Sequence, residues 1–407
     1  MKIEARHLKA LAISVATGLA FLVLFATPAP AVQPDTEESL VEGNSTFAFK
    51  LYNELKKENG NLFFSPYSIS SAFGMAYTGA REETARELKK ILHFPLNALH
   101  QGNQFNRLNK TLAENARRGG VQFIIANGLV LTGGDASNKY KTSLRNNFDA
   151  EIFPGREDVI NAWVKQKTDG KIDRIVESLD PDSSLVILNA VYFYGNWRKP
   201  FGIRDGKLDN FNVSAKKRIK TFLMGQRNEY RILKKDTYRA ISIPYSRNEQ
   251  SLVVLLPDAV DGLAPVEKQL TKLSAKQFFY ELDNARVWDT ELYLPKFKWE
   301  TGYDLLKPPT ILGLKNAVSK NADFRGMTDG KRRLMIWQVK HKAFIDVNEK
   351  GTEAAAVTSM EAVPLSVPIV PEYQLFRVDR PFLFMIRDNY SGSILFMGRM
   401  VDPSVKN

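Results

Sequence analysis

From Leu185 to Tyr194 nearly every position is apolar, and most are β-branched or aromatic, which predicts a strand covered on both faces. Asn189 lies within that run and needs a hydrogen-bond partner, because an unpaired buried amide costs roughly 1–3 kcal/mol. Upstream, Phe47, Leu51 and Leu55 recur every four residues behind Ser45, so a helix capped by Ser45 is predicted to end near Asn59-Gly60, after a polar, acidic tail from Val32 to Gly43. Asn61–Phe64 reads as a short strand. Ser65-Pro66 then opens a helix with Ile69, Phe73 and Tyr77 on one face. Leu88–Thr111 is a mixed-charge helical region, Arg117–Gly120 a turn, and Val121–Leu131 a buried strand interrupted at Asn127-Gly128. Val159–Lys171 is an amphipathic helix stopped by Gly170. Shorter strands follow at Asn210–Val213, Tyr238–Pro244, Ser251–Pro257 and Glu291–Trp299. Two more, Leu383–Ile386 and Ile394–Gly398, flank the turn Asp388–Gly392.

One stretch breaks this pattern. From Glu349 to Ser366 the chain reads Glu-Lys-Gly-Thr-Glu-Ala-Ala-Ala-Val-Thr-Ser-Met-Glu-Ala-Val-Pro-Leu-Ser. Gly351 admits either sign of φ, as a hinge needs. Beyond it, Thr352, Ala354, Ala356, Thr358, Met360 and Ala362 share one phase of a two-residue period, and Glu353, Ala355, Val357, Ser359 and Glu361 the other. Both carboxylates fall on one face, as in a strand able to join a sheet with its small side chains inward. An Ala-rich helix over Glu353–Val357 fits the same residues equally well. Pro364, Pro368 and Pro371 end any helix and favour an extended tail.

The 407 residues, 44% hydrophobic and 25% charged, suit an ordinary globular chain of one large domain or two smaller ones. With no cysteine, disulfides and zinc–thiolate sites are excluded. The net charge of +12 implies a weak attraction to polyanions and defines no site. The basic knots Lys216-Lys217-Arg218, Lys234-Lys235 and Lys331-Arg332-Arg333 are scattered and read as solvated faces. Lys2, Arg6 and Lys9 precede an apolar run from Ala10 to Ala26 and an Ala29-Pro30-Ala31 cleavage pattern, so residues 1–31 read as a signal peptide and the product as secreted, extracellular or periplasmic. Membrane attachment is expected only if that leader is retained.

An enzyme finds little support. The four histidines are His7, His93, His100 and His341, and no nucleophile elbow, metalloprotease pair, phosphate loop or dinucleotide fingerprint is present. No catalytic residue, metal ligand or cofactor is assigned. Basic charge alone is too little for nucleic-acid binding.

Gly351-Thr352-Glu353-Ala354-Ala355-Ala356 after Glu349-Lys350 resembles the inhibitory hinge of the serpins, and Phe376-Arg377-Val378-Asp379-Arg380-Pro381-Phe382 resembles the signature that closes their reactive loop. Asn61–Ser70 resembles the segment beneath the point where their central sheet parts. Ser65, Ser68, Asn189 and His341 match the polar cluster controlling that opening, and Gly195–Phe201, with Trp197, matches the breach where insertion begins. Val159–Ile172 resembles the helix lying across the sheet. Leu294–Lys298 and Asn321–Met327 also match. Lys307-Pro308-Pro309 departs from the pattern, where a helix is usual, as do Trp337 and Val357, where smaller residues are usual.

The resemblance implies an α+β serpin fold: three β-sheets, about eight or nine helices and an exposed reactive-centre loop. Residues 45–407 would form a single domain after a flexible tail at 32–44, with the loop at about 349–373. It implies a monomeric suicide substrate of serine endopeptidases cut between Leu365 and Ser366. Leu365 in the primary pocket implies chymotrypsin-like or elastase-like proteases rather than trypsin-like ones. After acyl-enzyme formation the freed loop would enter the central sheet and distort the bound protease. A non-inhibitory carrier or chaperone relative is the main rival, and an exported hydrolase a remote one.

Overall fold

The computed structural model describes residues 35–132, 134–180, 183–270, 273–307, 312–328, 333–352 and 373–405. The first helix, α1 (Glu37–Leu55), starts earlier than its apolar spacing predicts. Thr36 caps it, its hydroxyl accepting from Ser39 N at 3.1 Å, and Glu37 and Glu38 occupy the first turn, where the helix dipole favours negative charge. The tail expected at 32–44 is therefore helical from Glu37 on, and Ser45 is buried within α1 instead of capping it.

β1 (Leu62–Phe64) and α2 (Pro66–Gly79) follow as predicted, with Ser65 as cap and Pro66 in the first turn. The mixed-charge region divides into α3 (Glu82–Leu92) and α4 (Ala98–Gly119), because His93 takes a left-handed φ of 55° and Asn97 caps the next helix. Gly120, at φ 66°, terminates α4, so Arg117 and Arg118 belong to its last turn and not to a loop. β2 (Gln122–Leu131) runs through Asn127-Gly128 without the expected break. There Gly128 makes room for the Phe153 and Trp163 rings. Next come α5 (Asn138–Phe148), β3 (Ala150–Phe153), α6 (Glu157–Lys167) and β4 (Leu185–Asn196).

The second half holds β5 (Gly202–Asn212), β6 (Arg218–Lys234), β7 (Tyr238–Pro244) and β8 (Gln250–Pro257), then α7 (Leu263–Leu270) and α8 (Ala275–Asp283). After these come β9 (Val287–Pro295), β10 (Phe297–Asp304), β11 (Ile336–Val347), β12 (Gly351–Thr352), β13 (Gln374–Arg377), β14 (Phe382–Asp388) and β15 (Ile394–Met400). The described residues thus carry eight helices, consistent with the expected α+β class, and form one compact unit. None of these helices is long and apolar enough to cross a membrane. Pro308 and Pro309 lie outside the described residues.

Two hydrogen-bonded networks result. The central sheet has the order β10-β11-β12-β4-β2-β3. The other runs β1-β15-β14-β8-β7-β6-β9-β13, with β5 also on β6; it joins two sheets through the long β6, which pairs with β7 only at Ile232–Lys234 and with β5 and β9 along its earlier length.

The central sheet separates two cores of unequal size. Leu185, Ile187, Val191 and Phe193 of β4 face the large core shared with α2 and the second network. Their neighbours Val186, Leu188, Ala190 and Tyr192 face a small cluster beneath α6, with Ile160, Trp163 and Val164. Period-two alternation with both faces covered explains why the β4 sequence is apolar throughout.

Candidate functional site

β11 and β4 lie side by side and parallel from Ile336↔Leu185 to Phe344↔Tyr192. Beyond that point they part, and β12 sits between them: Thr352 is opposite Val347 on one side and Gly195 on the other, and Gly351 is opposite Asn196. The chain gets there by a tight reversal. Asn348 and Gly351 exchange backbone hydrogen bonds of 2.8 and 3.2 Å across Glu349-Lys350, and Asn348 Oδ1 accepts from Lys350 N at 3.1 Å.

Gly351 is required here for close approach. A Cβ on it would lie 2.1 Å from Gly195 O and 2.6 Å from Asn196 Cα, both backbone atoms that cannot step aside. Its φ is not in the left-handed region, so the conformational freedom expected of it is not what the fold uses. Thr352 is fully buried, and its Oγ1 is 2.8 Å from Tyr245 OH. Burial pushes the Tyr245 hydroxyl pKa up, and Thr352 partly opposes this.

An aromatic stack supports the reversal from below. Trp197 lies over Tyr245 with centroids 4.7 Å apart and planes 12° apart. Its indole N–H donates to Asn348 O at 2.9 Å, and its backbone N–H donates to Lys350 O at 2.9 Å. Phe201 N donates to Glu349 O at 2.8 Å, and Lys296 pairs with the Glu349 carboxylate at 3.0 Å. Trp197, read as a core aromatic, is buried and also holds the Asn348–Gly351 reversal.

A second group of the expected residues gathers lower on the same seam. His341 and Asn189 are register partners across β11 and β4, and His341 Nδ1 lies 2.6 Å from Asn189 Oδ1. Since His341 Nε2 accepts from Ser65 N at 3.2 Å, the proton sits on Nδ1, which donates to Asn189. Ser68 Oγ donates to Asn189 Oδ1 at 2.9 Å, and Ser65 Oγ donates to Leu395 O at 2.5 Å. Asn189 Nδ2 in turn donates to Asn127 Oδ1 at 2.8 Å, and Asn127 Nδ2 to Ser71 Oγ at 3.1 Å. His341, Asn189 and Asn127 thus form a polar row across three adjacent strands. His341 is fully buried, and desolvation lowers its pKa to about 3, so the ring is neutral.

Sequence reasoning missed three participants. Asn127 was expected to interrupt β2, yet it stands in the row as Asn189 does; an Asn inside an apolar run was the available signal. Tyr245 and Asn348 act through tertiary contacts that no local pattern encodes. Trp337 falls at the point where the β11–β4 register slips between Ile336 and Gln338, and its indole N–H donates to Asp180 at 3.2 Å, so the bulky residue is taken up by a bulge. Glu353, Ala354, Ala355, Ala356, Val357, Leu365 and Ser366 lie outside the described residues. Lys217 pairs with Asp402 at 3.1 Å and Lys235 with Glu281, so two of the basic knots have acidic partners. No metal-binding group of His, Cys, Asp or Glu is found among the described residues.

The family profile described as serpin (serine protease inhibitor) matches residues 42–403. The chain is 35% identical over 387 residues to the leukocyte elastase inhibitor of Bos taurus, covering 90% of this chain and all of that protein. It is 34% identical to human Serpin B4 over 392 residues, with the same coverage. Among solved structures, human thyroxine-binding globulin bound to thyroxine superposes with a TM-score of 0.80 at 26% identity, covering 91% of this chain and 100% of that one.

Proposed function

Given that the chain belongs to the serpin family, a family of protease inhibitors and not of enzymes, we propose that it inhibits serine endopeptidases as a suicide substrate, with Leu365–Ser366 as the bond offered. The observation that supports this reading is β12: the start of the stretch read as the hinge lies between β11 and β4, with Gly351 fitted to the backbone and Thr352 buried.

Continuing that register after cleavage would place Ala354 between Phe193 and Ile345, Ala356 between Val191 and Ala343, and Met360 between Ile187 and Val339. All six flanking residues belong to the large core. The inward positions are small or apolar, as a sheet interior demands. Thr358 would fall between His341 and Asn189, where its hydroxyl can replace the hydrogen bond that separation of the strands breaks. Glu353 and Val357 would point to the α6 side. A trapped acyl-enzyme follows if insertion outruns hydrolysis, and the native fold is then kinetically held.

Leu365 favours chymotrypsin-like or elastase-like targets over trypsin-like ones. The leader supports export to an extracellular or periplasmic space, and the absence of Cys is compatible with it. Incubation with chymotrypsin and with elastase tests the reading. A complex that survives denaturation, with cleavage after Leu365, is expected. Clean digestion without a complex would instead support a non-inhibitory, carrier-type role.

A further inference from the structure

Below His341 and Asn189 the seam between β11 and β4 is closed a second time by side chains. The strand ladder ends at Ile336↔Leu185. One residue lower on each strand Ser184 meets Met335: its hydroxyl donates to Met335 O at 3.0 Å and accepts from Met335 N at 3.1 Å. A hydroxyl is donor and acceptor at once, so this one side chain takes both main-chain polar groups of the residue across the seam.

Trp337 adds a strap. It is the extra residue of the bulge between Ile336 and Gln338, and its indole N–H donates at 3.2 Å to Asp180, which lies four residues before Ser184 on the approach to β4. Ser183 N donates to Asp180 O at 2.9 Å and closes the turn that carries both partners of β11. Ser183 O accepts from the hydroxyl of Thr132, one residue beyond β2. The grip on β11 is therefore rooted in β4 and β2, which are paired down to Leu131↔Leu185.

Where these bonds lie decides what they do. The register that sets Thr352 against Gly195 and Val347, carried down the seam with one residue of β11 taken up by the bulge, brings Val363 level with Ser184 and Met335. Everything above that level can fill before the clasp is touched. We infer that Ser184, Met335, Trp337 and Asp180 form an end stop on insertion, an inference that rests on the inhibitory reading above. The upper seam fills first, and the last residues before the cut bond enter only when the stop gives way. The delay falls within the interval in which a bound protease can still hydrolyse its acyl-enzyme, so the stop bears on how many encounters end in a trap.

Pulsed hydrogen exchange after mixing the full chain with excess chymotrypsin tests this. Residues 343–347 at the top of β11 should change protection before residues 333–338 at its base. Ser184→Ala and Trp337→Phe should each shorten that lag at least threefold, whereas Ser184→Thr, which keeps the hydroxyl, should preserve it. Simultaneous change at both ends in the natural sequence, or an unaltered lag in Ser184→Ala and Trp337→Phe, would overturn the stop and leave insertion standing. A cut loop with no change at either end would sink the inhibitory reading and the stop with it.

Discussion

The hydrogen bond between His341 and Asn189 crosses the seam that the proposed insertion would have to open, whereas the bond between Asn189 and Asn127 crosses a strand pair that it would leave closed. Replacing each outer partner therefore separates gating from general stability. Adjacent strands lie about 4.8 Å apart, and a strand inserted between them sets them about 9.6 Å apart, so a 2.6 Å side-chain bond cannot survive. His341→Leu keeps apolar bulk and deletes that bond from the closed state, where leaving a buried polar group unpaired costs roughly 1–3 kcal/mol. If the bond is absent at the top of the barrier, seam opening speeds up roughly 5- to 150-fold, by a tenfold gain per 1.4 kcal/mol. Asn127→Leu should destabilise the chain with and without insertion. The assay is calorimetric melting of intact and loop-cleaved protein, together with the rate at which intact protein loses complex-forming capacity on warming. His341→Leu removes a side chain that also accepts from Ser65 N and would meet Thr358 after insertion, so both forms should melt earlier; what sets it apart is that loss rate, which should rise far more than in Asn127→Leu. An equal rise in the loss rate for the two variants would refute the idea that this bond gates the seam.

Thr352→Arg should turn an inhibitor into a substrate, because the side chain at 352 is fully buried and an unpaired cation there is costly; covalent complex at the normal ratio would contradict the inward facing. Gly351→Ala should expel β12, since its Cβ would meet Gly195 O at 2.1 Å, and hydrogen exchange at residues 348–352 should rise sharply. Acid should weaken the closed form. The folded pKa of His341, about 3, lies below its unfolded value near 6.5, so between these limits the unfolded chain binds the extra proton and stability falls as pH falls. The neighbours resolved around this ring, Ser65, Asn189 and Tyr303, carry no charge to offset the effect. His341→Gln should remove up to about 1.4 kcal/mol per pH unit of slope in chemical denaturation across that window, and an unchanged slope would count against the assignment.

Much of the site could be read from residues because its demands are local. Ser65-Pro66 is a cap followed by a first-turn proline, and the amide of Asn189 in an apolar strand announces a partner even though the sequence does not say which. The start of α1 was misread because Glu37 and Glu38 look like solvated tail unless the helix dipole is counted. β6, α7 and α8 were missed because that stretch was read as alternating short strands and turns, whereas its apolar positions answer to packing across the second network. The role of Gly351 was read as torsional and proved to be steric, a distinction visible only once Gly195 O stands opposite it. The parting of β11 from β4 is a non-local fact, and no window of sequence contains it.

The unequal cores on the two sides of the central sheet carry a mechanical consequence. One side is welded to the bulk of the molecule through α2 and the second network, while the other is roofed by little more than α6 and the segment leading from it to β4. A widening sheet could shed that thin roof at little cost, whereas on its other face the parting strands still bear on the large core, so the small side chains entering between them are what would keep that interior intact.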